Sequence, residues 1–279
     1  MQLTSTAERP AVAHLGYTIA TLVNDETQHR AMVQSFRAGG FDGDDVEFVA
    51  VRDASSAYAG LNAALASARG RIVILCHQDV RLLADGRHRL EACLDELERR
   101  DPLWALAGNA GGLAPGRLAM RISDPHGHDR SLGQLPARVM SLDENFIVAR
   151  AESGLRFSSD LDGFHLYGAD ICMMADVLGR SAWVIDFHLE HLSPGRKDQT
   201  FALSERRFRA KWARALRPRW MQTTCTLLRL SGGQWGRLTA WLQERPFRTL
   251  LRHLPEAPTR ARRRPDVGLC PERPVQRTA

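Results

Sequence analysis

Lysine is nearly missing from this 279-residue chain: of 38 basic residues only Lys197 and Lys211 are lysine, and the rest are arginine. Such a balance has the stamp of a GC-rich coding sequence more than of a phosphate-binding design, and no GxxxxGK[ST] phosphate loop occurs. The first strand-like segment is followed by "NDETQH" and not by GxGxxG, which speaks against a dinucleotide site. Cysteine is sparse and irregular. Five residues, Cys76, Cys93, Cys172, Cys225 and Cys270, form no CxxC pair, so neither a disulfide framework nor a structural zinc site is supported and reduced thiols are expected. Nowhere do about 18 uncharged apolar residues run together, so no bilayer span is expected. At the amino end, Glu8 and Arg9 precede a short apolar run without a basic n-region, which is no signal-peptide pattern; the expected location is the cytoplasm.

What is present is an ordinary globular composition, 44% hydrophobic and 25% charged, sufficient for one large domain with an appendage. The net charge of +6 has an address: "TRARRRP" (Thr259 to Pro265) and the terminal "ERPVQRTA" are rich in Arg and Pro and poor in apolar residues, the composition of a disordered tail. Without interleaved aromatics such a tail is expected to be a solvated segment and not to bind nucleic acid, with peripheral contact at an anionic membrane as the functional alternative.

Strand and helix patterns alternate through the first half. "YTIATLV" (Tyr17 to Val23) reads as a buried strand, "TQHRAMVQSFRAGG" as a helix, "DVEFVAVRD" as a strand ending at Asp53, and "SAYAGLNAALASARG" as a helix capped by Gly70. "RIVILCHQD" is a third strand, "RHRLEACLDELERRDP" a helix and "LWALAGNAGG" a fourth strand. This order predicts parallel strands joined by right-handed crossovers, with ligands bound outside the strands' carboxyl ends. Asn24, Asp25 and Glu26, then Asp53, then His77, Gln78 and Asp79 stand at those ends and should gather along one edge. Three acidic breaks there suit a cation and a hydroxyl-rich ligand, although any one acid is equally a helix N-cap. "LSGGQ" (Leu230 to Gln234) has no phosphate loop to accompany it and is read as chance, and "HLEH" (His188 to His191) fits no metalloprotease spacing.

Several stretches together carry a resemblance: "TLVNDE", "AYAGLNAALASARGRIVILCHQDVRL" with Asn62, "SLDENFIVAR", "FSSDLDGFHLYGADICMMA" and "HLEHLSPGRKDQTFALSERRFRAKW". In this order they resemble an inverting, family-two-like glycosyltransferase of GT-A type, closest to a small bacterial branch whose Asp-x-Asp motif is written HQD. The fold implied is a GT-A (nucleotide-diphospho-sugar transferase, Rossmann-like) α/β mixed sheet with helices on both faces. The activity implied is metal-assisted transfer of a sugar, with inversion, from a UDP- or GDP-linked donor to a hydroxyl acceptor such as a surface-polysaccharide or lipid-linked precursor. Glycosyl transfer needs a cation on the leaving diphosphate, and a Mg2+ or Mn2+ ion prefers carboxylates with phosphate oxygens. Asp79 is the expected metal ligand, and the resemblance adds His191. His77 occupies the usual first acid's place among the cofactor-binding residues, where it would either join the metal site, since manganese tolerates imidazole better than magnesium does, or orient Asp79. Asn24, Asp25, Glu26, Asp53, Asn62 and Gln78 would cradle the nucleotide, and Arg196 and Lys197 would contact the diphosphate from a mobile loop. Asp170 is the expected general base, although Ala169 stands where the family carries a neighbouring acid.

The expected organisation is a catalytic domain over 15–212, a helical extension over 213–255 with an amphipathic "GQWGRLTAWLQERPFRTLLRHL" that suits an anionic membrane surface, and a basic tail over 256–279. The altered metal motif and Ala169 also fit an inactive nucleotide-sugar or glycan-binding relative. A nucleotidyltransferase is the other alternative, and it would carry a Gly-rich basic loop after the first strand.

Overall fold

The computed structural model describes residues 15–195, 199–222 and 227–230. In chain order the elements are β1 (Leu15–Val23), α1 (Glu26–Ala38), β2 (Val46–Arg52), α2 (Ala57–Ser67), β3 (Gly70–Cys76), β4 (Val80–Leu82), α3 (Arg87–Arg100) and β5 (Trp104–Gly108). Six short strands follow: β6 (Ala110–Ala114), β7 (Arg117–Asp124), β8 (Gly127–Leu132), β9 (Ala137–Val139), β10 (Ser141–Leu142) and β11 (Phe146–Arg150). Then come α4 (Tyr167–Val177), β12 (Ser181–Val184), β13 (Leu189–His191), α5 (Gln199–Leu216), β14 (Arg219–Gln222) and β15 (Leu227–Leu230).

The expected parallel core is present, with β1 between β2 and β3 and parallel to both. β11 then lies antiparallel between β3 and β5, β12 returns parallel to β5, and β9 closes the edge antiparallel. Among the described residues the result is a seven-stranded mixed sheet in the order β2-β1-β3-β11-β5-β12-β9. A second sheet runs β10-β6-β7-β13-β4, with β8 on β7.

Side-chain alternation along the strands explains why helices cover both faces. Ile19, Ile74, Phe146 and Val148 pack with Met32 and Phe36 of α1 and Leu90 and Leu97 of α3. Their neighbours Ala20, Val73, Leu75 and Ile147 face the other way, onto Tyr58 and Leu61 of α2 and Ile171 of α4. Each large side chain so buried contributes about 1.5–3 kcal/mol, so the frame rests on these two layers and the polar strand ends are free for other work. Gly70, expected as a helix cap, instead opens β3 after α2 stops at Ser67. A Cβ there would lie 2.4 Å from the backbone N of Thr18, so no side chain fits where β3 passes β1.

The chain divides into two compact units, Met1–Trp212 and Ala213–Ala279. In the second, β14 and β15 pair antiparallel, Arg219 opposite Leu230. Helices were expected here. Pro218 stops α5, which ends at Leu216. The amphipathic stretch 233–254 and the basic tail lie outside the described residues. Among the described residues no helix is long and apolar enough to cross a membrane.

Candidate functional site

The carboxyl ends of β2, β1 and β3 and the amino end of antiparallel β11 reach the same sheet edge, and a cleft of about 670 Å³ opens there. Along it stand, in order, Asp53 after β2, Asn24 after β1, His77 to Asp79 after β3, and Glu144 just before β11, all lining the cleft. With strands about 4.8 Å apart, this row spans about 14 Å. Leu22, Val51, Ala54, Leu61 and the half-exposed Phe164 supply an apolar wall.

His77 is held at the end of β3 by its backbone N, which donates to the Asn145 carbonyl at 3.0 Å. Val80 then opens β4, and β13 pairs antiparallel with β4 so that His191 lies opposite Val80. The Leu192 N donates to the Asp79 carbonyl at 3.1 Å, locking the two segments together. Three side chains converge as a result. His77 Nδ1 is 3.2 Å from His191 Nε2, and Asp79 Oδ1 is 3.4 Å from His191 Nε2 and 3.9 Å from His77 Nδ1. Ligand atoms about 2.1 Å from one ion and at right angles to each other lie about 3 Å apart. The cluster therefore fits a divalent cation with small adjustment, and the donor atoms of His77, Asp79 and His191 all lie within 4.8 Å of one another.

The electrostatics agree with that geometry. Burial, and then the facing His191, depress His77 below the ordinary imidazole value, which leaves it neutral with a lone pair to offer. Burial would push the Asp79 carboxyl up, but hydrogen bonds from His191 and Ser193 and the nearby imidazoles hold it well below the usual carboxylate range. Cys76, the last residue of β3, is no nucleophile: burial pushes its thiol up to about 12.

Other expected site residues are used differently. Gln78 Oε1 accepts from the backbone N of Asn24 and of Asp25, both at 3.0 Å, and its amide donates to Asn24 Oδ1. Both side chains are thus spent on tying β3 to β1 at the floor of the cleft. Asp25 is the N-cap of α1, accepting from Thr27 N and Gln28 N, and Glu26 pairs with Arg52 at 2.6 Å. Asn62 clamps the Phe157 backbone, donating to its carbonyl and accepting from its N at 2.9 Å each. Asp53 lines the cleft with a left-handed φ of 52°, a conformation that aspartate tolerates better than most residues. Arg196 and Lys197 lie outside the described residues.

Asp170 does not line this cleft. It is fully buried, and its carboxylate accepts from Ser158 N at 2.8 Å, Ser158 Oγ at 2.7 Å and Trp212 Nε1 at 3.2 Å. A carboxylate so engaged anchors α4 and is poorly placed to meet an acceptor hydroxyl. The cleft holds a different acid, Glu144, beside the amino end of α4. Burial, followed by the charge of Asp143, raises its carboxyl to about 8, against the opposing pull of the Gly168, Tyr167 and Leu166 backbone N–H groups.

No protein-family model matches the chain. It is 35% identical, over 231 residues covering 78% of this chain and 92% of the relative, to the Fuscovulum blasticum protein named ATP synthase subunits region ORF 6. Among solved structures it is similar to the mannosyltransferase PcManGT from Pyrobaculum calidifontis in complex with GDP-Man and Mn2+, with a TM-score of 0.48 and 16% identity over 71% of this chain and 64% of that one. It is also similar to S. aureus TarS, with a TM-score of 0.45 and 12% identity over 64% of this chain and 37% of that one. The chain thus spans less than two thirds of either structure.

Proposed function

The chain belongs to the family of the Fuscovulum blasticum ATP synthase subunits region ORF 6 protein, a name that states no reaction, and from the strand-end cleft we propose that it is a metal-assisted, inverting glycosyltransferase acting on a nucleoside-diphosphate sugar. The observation that carries this reading is the His77, Asp79 and His191 cluster at the middle of a row that runs from Asp53 to Glu144. A nucleotide laid along the edge over Asn24 and Asp53 would bring its diphosphate to the cluster and its sugar toward Phe164 and Glu144. Two imidazoles with one carboxylate suit Mn2+ better than Mg2+. The bound cation would act as a Lewis acid on the departing diphosphate.

The chain's own groups do the rest. Glu144 lines the cleft, and in this reading the base role expected of Asp170 passes to it; the base must be its carboxylate form, which a carboxyl raised to about 8 makes the minor form at neutral pH and the major one only above about pH 8. Arg196 and Lys197, from their place in the sequence, would neutralise the diphosphate. UDP- and GDP-sugars are the donors considered, and the resemblance in the sequence points to a polysaccharide or glycolipid precursor as acceptor, with the basic tail at an anionic membrane.

A second reading comes from the metal cluster itself, because a His-x-Asp and distant His set also serves non-haem Fe(II) oxygenases. One panel separates the readings. The protein is incubated with UDP- and GDP-sugars in Mn2+, Mg2+, Fe(II) or EDTA, and release of nucleoside diphosphate is measured. Release that needs Mn2+ and disappears in Asp79→Ala is expected. Nucleotide binding without release in any metal would point to an inactive relative, and dioxygen uptake confined to Fe(II) would favour the oxygenase reading.

A further inference from the structure

Tyr167 begins α4, and the residue before it, Leu166, has a left-handed φ of 64°. That backbone costs on the order of 1–2 kcal/mol for a residue with a Cβ, so the surrounding packing must enforce it. It turns the Tyr167 ring into an aromatic cluster, edge-on to Phe157 at 5.9 Å and to Tyr58 at 6.3 Å between centroids, where it is 4% exposed. The hydroxyl reaches two partners. Its oxygen is 2.7 Å from His77 Nε2, and it donates to the Glu144 carbonyl at 3.3 Å.

We propose that Tyr167 is the positioning residue of the metal site: its hydroxyl fixes His77 in the tautomer that carries the proton on Nε2 and turns a bare Nδ1 toward Asp79 and His191. The reasoning is one of donors and acceptors. A phenol has one proton, and a backbone carbonyl can only accept, so the Tyr167 proton serves the Glu144 carbonyl. With the proton on that carbonyl the phenol oxygen offers His77 only lone pairs, so His77 Nε2 is the donor, the same tautomer that a cation on Nδ1 requires. A neutral imidazole has one N–H, so Nδ1 is left as a lone pair facing Asp79 Oδ1 at 3.9 Å and His191 Nε2 at 3.2 Å. Groups that orient a metal-binding histidine in this way typically change metal affinity 10- to 100-fold when removed.

The inference rests on the metal reading above, and its test separates the two. The full chain, labelled with 15N-histidine and treated with EDTA, is examined by two-bond nitrogen–proton NMR, with His77 assigned by its loss in His77→Gln. A His77 ring protonated on Nε2 is expected. Free Mn2+ is then measured by EPR in titrations of wild-type protein and Tyr167→Phe, which keeps the ring and removes the hydroxyl; a 10- to 100-fold weaker Kd is expected for the variant. An Nδ1–H tautomer in the wild type, or a folded Tyr167→Phe that binds Mn2+ within twofold of wild type, overturns the role of Tyr167 alone. Wild-type protein that binds no Mn2+ overturns the metal reading and the inference with it. If the variant does not fold, the wild-type tautomer decides.

Discussion

Glu144 and Asp170 show two fates for a partly or fully buried carboxylate within one fold. Asp170 is surrounded by donors, while Glu144 meets backbone N–H groups on one side and the cleft on the other. Because the folded state raises Glu144 from 4.5 to about 8, it holds a proton across that window while the unfolded chain does not. Its contribution to stability is therefore lost as pH rises from about 4.5 toward 8, with a slope of at most about 1.4 kcal/mol per pH unit. Glu144→Gln should remove that slope, so the difference between variant and wild-type denaturation midpoints should move in the variant's favour from pH 5 to pH 8. The same variant should bind nucleotide and Mn2+ normally yet transfer sugar to acceptor roughly 10²- to 10⁴-fold more slowly. Parallel stability profiles would remove Glu144 from the pH dependence, and retained transfer would remove it from the base role.

The helix α4 is placed by close contact with the loop that precedes β11. A Cβ on Gly168 would lie 2.4 Å from the Leu142 carbonyl and 3.2 Å from Glu144 Cγ. Gly168→Ala should therefore push the start of α4 away and cost about 1–3 kcal/mol, the usual range for overpacking. At about 2–4 °C per kcal/mol for a domain of this size, Tm should fall by several degrees, and Mn2+ binding should weaken because Tyr167 moves with the helix. Unchanged Tm and Kd would mean the contact relaxes without consequence. This packing was not readable from the sequence. The alternation of β1, α1, β2, α2 and β3 was, because each period is long and bounded by polar breaks. The acids at the strand ends were legible as a group, but not their separate uses: Asp25 as a cap and Glu26 as a partner of Arg52 carry the same residue types as ligand contacts, as does Asn62 of α2, the backbone clamp. Glu144 was not legible because a parallel sheet brings only carboxyl ends to this edge, whereas β11 is antiparallel to β3 and delivers its amino end there. "SLDENFIVAR" held the signal, an acid directly before an apolar run.

Taken as a whole, the molecule keeps its described candidate groups within the unit Met1–Trp212. Its large apolar layers on both sheet faces mean that removing a strand-end acid should leave the apo fold standing. The decisive measurement is therefore a thermal-shift titration of the full chain with UDP and GDP, in Mn2+ and in EDTA, beside Asp79→Ala. A ligand present at 100 times its Kd stabilises by about 2.7 kcal/mol, which for this size corresponds to about 5–10 °C. The account predicts a shift of that order with one of the nucleotides in wild-type protein with Mn2+, little or none in EDTA, and none in Asp79→Ala, whose apo Tm stays near wild type. Equal shifts in Mn2+ and in EDTA, or a nucleotide response that survives Asp79→Ala, would contradict it.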